Sequence, residues 1–188
     1  MITYYQTGKE MFAEGDYEGA IASYSNEIEL NPQDGKVFER RALAKDMLNR
    51  HDEAIEDYTL AIALSKPDEG SHYFGYYNRA LARMGKKNFF AAIEDMDRVI
   101  DLDPCYYLAY YHRAGMRCKI DDYSNAVIDL TKAIELKPDD AYSYYFRGMA
   151  KHADGIDALS DFLKAKELGC EEAQEMISRL TNGDESTE

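Results

Sequence analysis

The sequence predicts an all-α solenoid of five helix-turn-helix units closed by a C-terminal capping helix. Three observations predict it. Small residues recur at a near-constant interval, at Gly8, Ala42, Ala80, Ala114 and Gly148, and again at Ala20, Ala54, Ala92, Ala126 and Ala158. Four residues before each member of the first set stands an aromatic (Tyr4, Phe38, Tyr76, Tyr110, Tyr144), and four after each member of the second a bulky residue (Tyr24, Tyr58, Met96, Leu130, Phe162). The prolines Pro32, Pro67, Pro104 and Pro138 each follow an amphipathic run with an apolar end, at gaps of 35, 37 and 34 residues.

A fixed period of this length is the mark of a stacked-repeat architecture. Within each period, apolar residues at i, i+3, i+4 and i+7 make one stripe on each of two helices. The small residues let two backbones approach, and the aromatics fill the space beside them. A proline past the second run ends it, because it lacks the N–H and its ring clashes with the preceding turn.

The units fall at about 1–34, 35–68, 73–106, 107–140 and 141–172, within one domain over 1–180. Each holds a short polar turn: Glu14 to Asp16, Asn49 to Asp52, Lys86 to Asn88, Asp121 and Asp122, and Asp154 and Gly155. Gly or Asn closes the first helix there, and Asp or Asn caps the second. The first unit departs from the pattern with Glu27 at its late small-residue position. The second has an extra residue before Pro67, and Asp68 to His72 lengthen the link to the third, where curvature is expected to change. The fifth is shorter in its turn and closes on Leu168-Gly169-Cys170 in place of proline. Ala173, Met176, Ile177 and Leu180 then form the stripe of a cap helix over about 171–180, with Glu171, Glu172, Glu175 and Arg179 facing away; such a helix covers the open end of a stack. The acidic tail at 181–188 is expected to be disordered.

Units two to five carry Arg41, Arg79, Arg113 and Arg147 just before the small residue of the first helix, and Asp57, Asp95, Asp129 and Asp161 just before the bulky residue of the second. Unit one has Thr7 and Ser23 at these places. The two residue types appear together and vanish together, which favours an ion pair between helices over a ladder of arginines facing an anionic partner.

The pattern resembles the tetratricopeptide repeat (TPR) family: an aromatic, a small residue four places on, then Ala, a bulky residue, a small residue and proline, as in Tyr110, Ala114, Ala126, Leu130, Ala133 and Pro138. The resemblance covers residues 1 to about 168. It implies a right-handed superhelix whose first helices line a concave face, and a non-enzymatic protein–protein interaction module, an adaptor or scaffold.

Composition narrows the partners. Asp plus Glu is 36 against 22 Lys plus Arg, a formal charge of -14. A chain this acidic is a poor ligand for nucleic acid or an anionic membrane surface, so neither is expected. No basic and apolar leader opens the sequence and no run is long enough to span a bilayer, so the expected compartment is the cytoplasm. Cys105, Cys118 and Cys170 form no CxxC pair and are expected neither to bridge nor to bind zinc. No Gly-rich phosphate loop, HExxH or GxSxG is present. His51 lies in a turn and His72 in a link, and His112 and His152 are a lone pair without a placed carboxylate or thiolate, so no enzyme activity, metal or cofactor is expected.

The expected partner-binding groove lies on the first helices beside the core stripe: Tyr5, Lys9, Arg40, Phe74, Tyr77, Asn78, Leu108, Tyr111, His112 and Tyr145. Flanking positions hold Lys36, Glu39, Tyr142, Phe146 and Met149. Tyrosine suits recognition, offering an apolar face and a hydroxyl at low entropic cost, and this face accounts for part of an excess of 16 Tyr over 0 Trp. For any single tyrosine, packing between neighbouring units is an equal alternative. Lys9, Lys36, Arg40 and Lys119 against Glu39 and Asp46 leave the face slightly positive, so the acidity belongs to the rest of the surface. A peptide or partner helix with apolar or aromatic anchors is the expected guest.

Some proteins of this family grip the acidic tail of a heat-shock chaperone with a clamp of Lys, Asn, Asn, Lys and Arg over three units. The corresponding places hold Tyr5, Lys9, Arg40, Phe74 and Asn78, or, one unit on, Glu39, Leu43, Asn78, Leu108 and His112. Only Asn78, in the second register, matches, so that role is not expected. A rival reading is a structural subunit that self-assembles into a homo-oligomer through exposed solenoid ends.

Overall fold

The computed structural model describes residues 3–65 and 73–182. Among the described residues there are eleven α-helices and no strand. They belong to two compact units, Met1–Leu102 and Asp103–Glu188. In the first, α1 (Tyr4–Glu14) pairs with α2 (Tyr17–Leu30), α3 (Gly35–Met47) with α4 (His51–Leu64), and α5 (Tyr73–Gly85) with α6 (Phe89–Leu102). Within this unit α2 also packs on α3, and α4 on α5. In the second unit, α7 (Tyr107–Cys118) pairs with α8 (Tyr123–Leu136) and α9 (Ala141–Ala153) with α10 (Leu159–Glu167), and α11 (Ala173–Asn182) packs on α10. Pro67, Asp68 to His72, Met1, Ile2 and residues 183–188 lie outside the described residues, and with them the expectations for the link and most of the tail. Thr181 and Asn182, expected in the tail, close α11.

The small-residue series forms the helix contacts. Ala20, Ala42, Ala54, Ala80, Ala92, Ala114 and Ala126 are fully buried. Gly8 and Gly148 face rings: a Cβ on Gly8 would lie 2.6 Å from Tyr24 Cε1, and one on Gly148 2.8 Å from Phe162 Cε1. Each hairpin turn places one residue in the left-handed region, Gly15, Asn49, Lys87, Asp121 and Gly155, the conformation that ends a helix while its last carbonyls find partners. Asp16, Asp34 and Asp140 cap the helices that follow them, accepting from Gly19 N, Lys36 N and Ser143 N. Asp122 stands at the start of α8 without a backbone cap; its carboxylate takes the Asn125 amide instead.

Two expectations change. The aromatic series is not uniformly core: Phe38 and Tyr110 are 7% and 8% exposed, Tyr76 and Tyr144 half-buried, and Tyr4 is 48% exposed. In the four covered cases the guanidinium of the arginine three residues on lies over the ring, at 5.5–5.6 Å from its centroid. Thr7 stands at that place after Tyr4. Glu27, irregular by pattern, has a structural use: its carboxylate accepts from Tyr5 N at 3.0 Å and from the Asn31 side chain at 2.7 Å, so α2 caps the start of α1.

The paired arginines and aspartates form the expected bridges, Arg41–Asp57 at 2.8 Å, Arg79–Asp95 at 2.7 Å, and Arg113–Asp129 and Arg147–Asp161 at 2.6 Å. Each is bidentate. The same carboxylates, all buried, take a second cation one turn further along the first helix: Lys45, Arg83, Arg117 and Lys151, at 2.7–2.8 Å. Arg41, Arg79 and Arg147 also donate to a hydroxyl on the second helix of the preceding hairpin, at Ser25, Thr59 and Thr131. In the first hairpin Thr7, Met11 and Ser23 stand at the three positions, and Ser23 Oγ donates to Met11 Sδ at 3.5 Å. A neutral set replaces a charged one as a group, because a lone ion left at such a depth is costly.

Candidate functional site

The residues expected in the groove lie, in the first unit, on α1, α3 and α5. Tyr5, Arg40 and Phe74 converge with Lys36 and Glu39 on a cavity of about 270 Å³. Tyr5 is half-buried. Its ring lies 6.0 Å from that of Tyr24 and packs on the cluster of Ala20 and Val37, so it is floor as much as wall. The Lys9 ammonium, otherwise exposed, sits 6.0 Å from the Tyr5 centroid. Arg40 is exposed, and Phe74 is 37% exposed with its ring 4.4 Å from Tyr73. Burial raises the Glu39 carboxyl, and the neighbouring Arg40 and Lys36 pull it back. The cavity is therefore lined by two aromatic surfaces, two basic side chains and one carboxyl. Tyr77 and Asn78 are half-buried on α5 and do not line it. Asp46, counted on this face by pattern, is engaged by His51 Nδ1.

In the second unit the predicted residues lie on α7 and α9. Leu108, Tyr111, His112 and Tyr145 are all half-buried. Tyr111 packs beside Ala114, Leu130 and Ala150, and Tyr145 lies 5.9 Å from Phe162. These tyrosines are thus partly spent on packing and partly open to the surface. Burial, reinforced by Asp140, pushes the Tyr111 phenol up to about 12, and burial lowers His112, favouring its neutral form. The exposed apolar face is built from the flanking positions. Phe146 is its hub, with Tyr111, Tyr142 and Tyr145 at 5.8, 6.5 and 5.3 Å.

Sequence reasoning missed the second cation of each ion cluster. The signal was present: a Lys or Arg recurs four residues after each paired Arg, and Met11 replaces it where Thr7 replaces the Arg. Among the described residues no group of His, Cys, Asp or Glu is placed to hold a metal. Cys105 is exposed, Cys118 partly covered and Cys170 buried, each a free thiol. No described helix is long and apolar enough to cross a membrane.

Comparison with known proteins places the fold. Two tetratricopeptide repeat models match, one over residues 5–69 and the other over 108–140, together just over half of the chain. The chain is a tetratricopeptide-repeat protein. Among solved structures, MamA superposes with a TM-score of 0.81 at 24% identity, over 91% of this chain and 92% of its own. YrrB, described as a TPR protein with an unusual peptide-binding site, superposes at 0.78 and 15% identity, over 92% of this chain and 89% of its own. At these identities they show the fold, the TPR α-solenoid. Among curated relatives, serine/threonine-protein phosphatase 5 of Homo sapiens is 37% identical over 95 residues, 50% of this chain and 18% of the phosphatase. A DnaJ homolog subfamily C member 7 homolog of Dictyostelium discoideum is 31% identical over 101 residues, 52% of this chain and 18% of its own. The chain thus spans under a fifth of these relatives. A TPR fold is a protein-interaction scaffold, and that much carries over.

Proposed function

We propose that this TPR protein is a non-enzymatic adaptor that seats a peptide segment or partner helix on its first helices. The observation that carries this reading is the cavity where Tyr5, Lys36, Glu39, Arg40 and Phe74 meet, with aromatic surface for an anchor and cations to orient it. A concave, largely preformed site with a few convergent polar groups is the usual form of a recognition pocket. The peptide-binding site for which YrrB is described supports the same use of the fold.

Phe74→Ala with Arg40→Ala is the test of choice, because both side chains reach the surface while Tyr5 and Tyr111 are built into the packing. Crosslinking and mass spectrometry of the native complex identifies the partners. The double variant should keep its helical circular dichroism and lose them. A folded double variant with the same partners removes the reading. Self-assembly has one observation in its favour, the exposed Tyr4 on α1. Light scattering over a concentration series that stays strictly monomeric removes it.

A further inference from the structure

The exposed aromatic face of α9 is bordered by carboxylates. Tyr142 is 48% and Phe146 42% exposed, their rings stacked 6.5 Å apart, with Tyr145 and Tyr111 edge-on to Phe146 beneath. Met149 continues the face one turn along. Glu172, which accepts from Cys170 Sγ at 3.3 Å just ahead of α11, lies close enough to raise the Tyr142 phenol, and Glu171 adds to it; Asp140, the cap of α9, acts on Tyr111, and Glu175 on Tyr145. The cations at this edge are engaged: Arg179 by Glu175 at 2.6 Å, and Lys137 by the Tyr107 ring and hydroxyl, at 4.7 and 3.1 Å.

An aromatic face attracts a cation through its quadrupole, and more strongly where carboxylates stand at the rim. The same unit shows the preference internally, with Arg113 over Tyr110, Arg147 over Tyr144 and Lys137 over Tyr107. Among the described residues no Lys or Arg of the chain lies over Tyr142, Tyr145 or Phe146. A formal charge of -14 steers a basic partner toward the molecule at long range.

We propose that the α9 face of the second unit, Tyr142 and Phe146 with Glu172 at the rim, takes a lysine or arginine side chain of a partner segment. The inference rests on the first helices being the docking face and names the chemistry of one guest there.

The probes are two matched, fluorophore-labelled peptides that differ only in carrying lysine or glutamate between leucines. Binding to the full chain is read by anisotropy. The lysine peptide should bind and the glutamate peptide should not. Phe146→Leu keeps apolar bulk and removes the ring, so it should weaken the lysine peptide about fivefold, and Glu172→Gln about threefold. A general attraction to the acidic surface predicts instead that both variants bind the lysine peptide as well as the parent, and that result overturns the proposal. Equal binding of both peptides also overturns it, while leaving the docking face standing, since that reading fails on the Phe74 and Arg40 experiment instead. Circular dichroism confirms that the variants fold.

Discussion

Single side chains carry the clearest energetics. Tyr58 is fully buried, and among the described residues its hydroxyl finds no hydrogen-bond partner. Phe162 fills the equivalent place in the last hairpin with no hydroxyl to satisfy. Tyr58→Phe should therefore be neutral or stabilising by about 1 kcal/mol, read from urea midpoints. The ion clusters behave differently, because removing one member strands the others. Asp129→Ala leaves Arg113 and Arg117 without their shared carboxylate and should cost about 3–5 kcal/mol. Arg113→Ala leaves Arg117 in place and should cost less, about 2 kcal/mol. Asp161 adds a pH dependence. Burial alone would raise its carboxyl, but hydrogen bonds from Arg147 and Lys151 outweigh burial and hold it below the ordinary value. Its contribution is thus present above the unfolded Asp value of about 3.9 and is lost as pH falls through the folded one. Asp161→Asn should flatten the acid limb of stability against pH.

At the scale of the element, helix positions and turns follow from local pattern, and backbone chemistry gives the tests. Lys87 sits at φ 59° in the turn between α5 and α6, where Gly15 and Gly155 stand in other hairpins. Lys87→Gly should raise stability by up to about 1 kcal/mol, seen as a higher melting temperature. Two helical glycines should respond in opposite directions. Gly8→Ala drives a methyl into the Tyr24 ring and should lower stability by about 1–2 kcal/mol after the gain in helix propensity. Gly115→Ala meets nothing within 4 Å and should raise it by about 1 kcal/mol. The helical hairpins were legible because the 3.6-residue stripe and the turn residues are written locally. The coupling of Arg with Asp was legible because the first hairpin loses both at once. Which of two adjacent aromatics faces inward was not, since successive side chains point about 100° apart and a helix can turn either one toward its neighbour.

Over the whole molecule, charge divides into two populations. The four aspartates of the Arg–Asp ladder, Asp57, Asp95, Asp129 and Asp161, are buried and each holds two cations, while most other carboxylates among the described residues face water. With a formal charge of -14, self-repulsion among the exposed set opposes compaction, and salt screens it. Raising ionic strength should therefore raise the melting temperature, by roughly 2–4 °C for a gain of about 1 kcal/mol. The buried ladder should contribute little to that change. By itself the sequence determined the period, the helical hairpins, the small-residue contacts and the repeated Arg–Asp pairing, all properties of spacing along one chain. Only the tertiary structure decided that Tyr5, Tyr111 and Tyr145 are partly spent on packing, that Phe146 is the hub of the exposed face, and that Glu172 lies beside Tyr142. Those outcomes depend on how separate helices meet, and a period describes each helix without saying which side chains its neighbours cover.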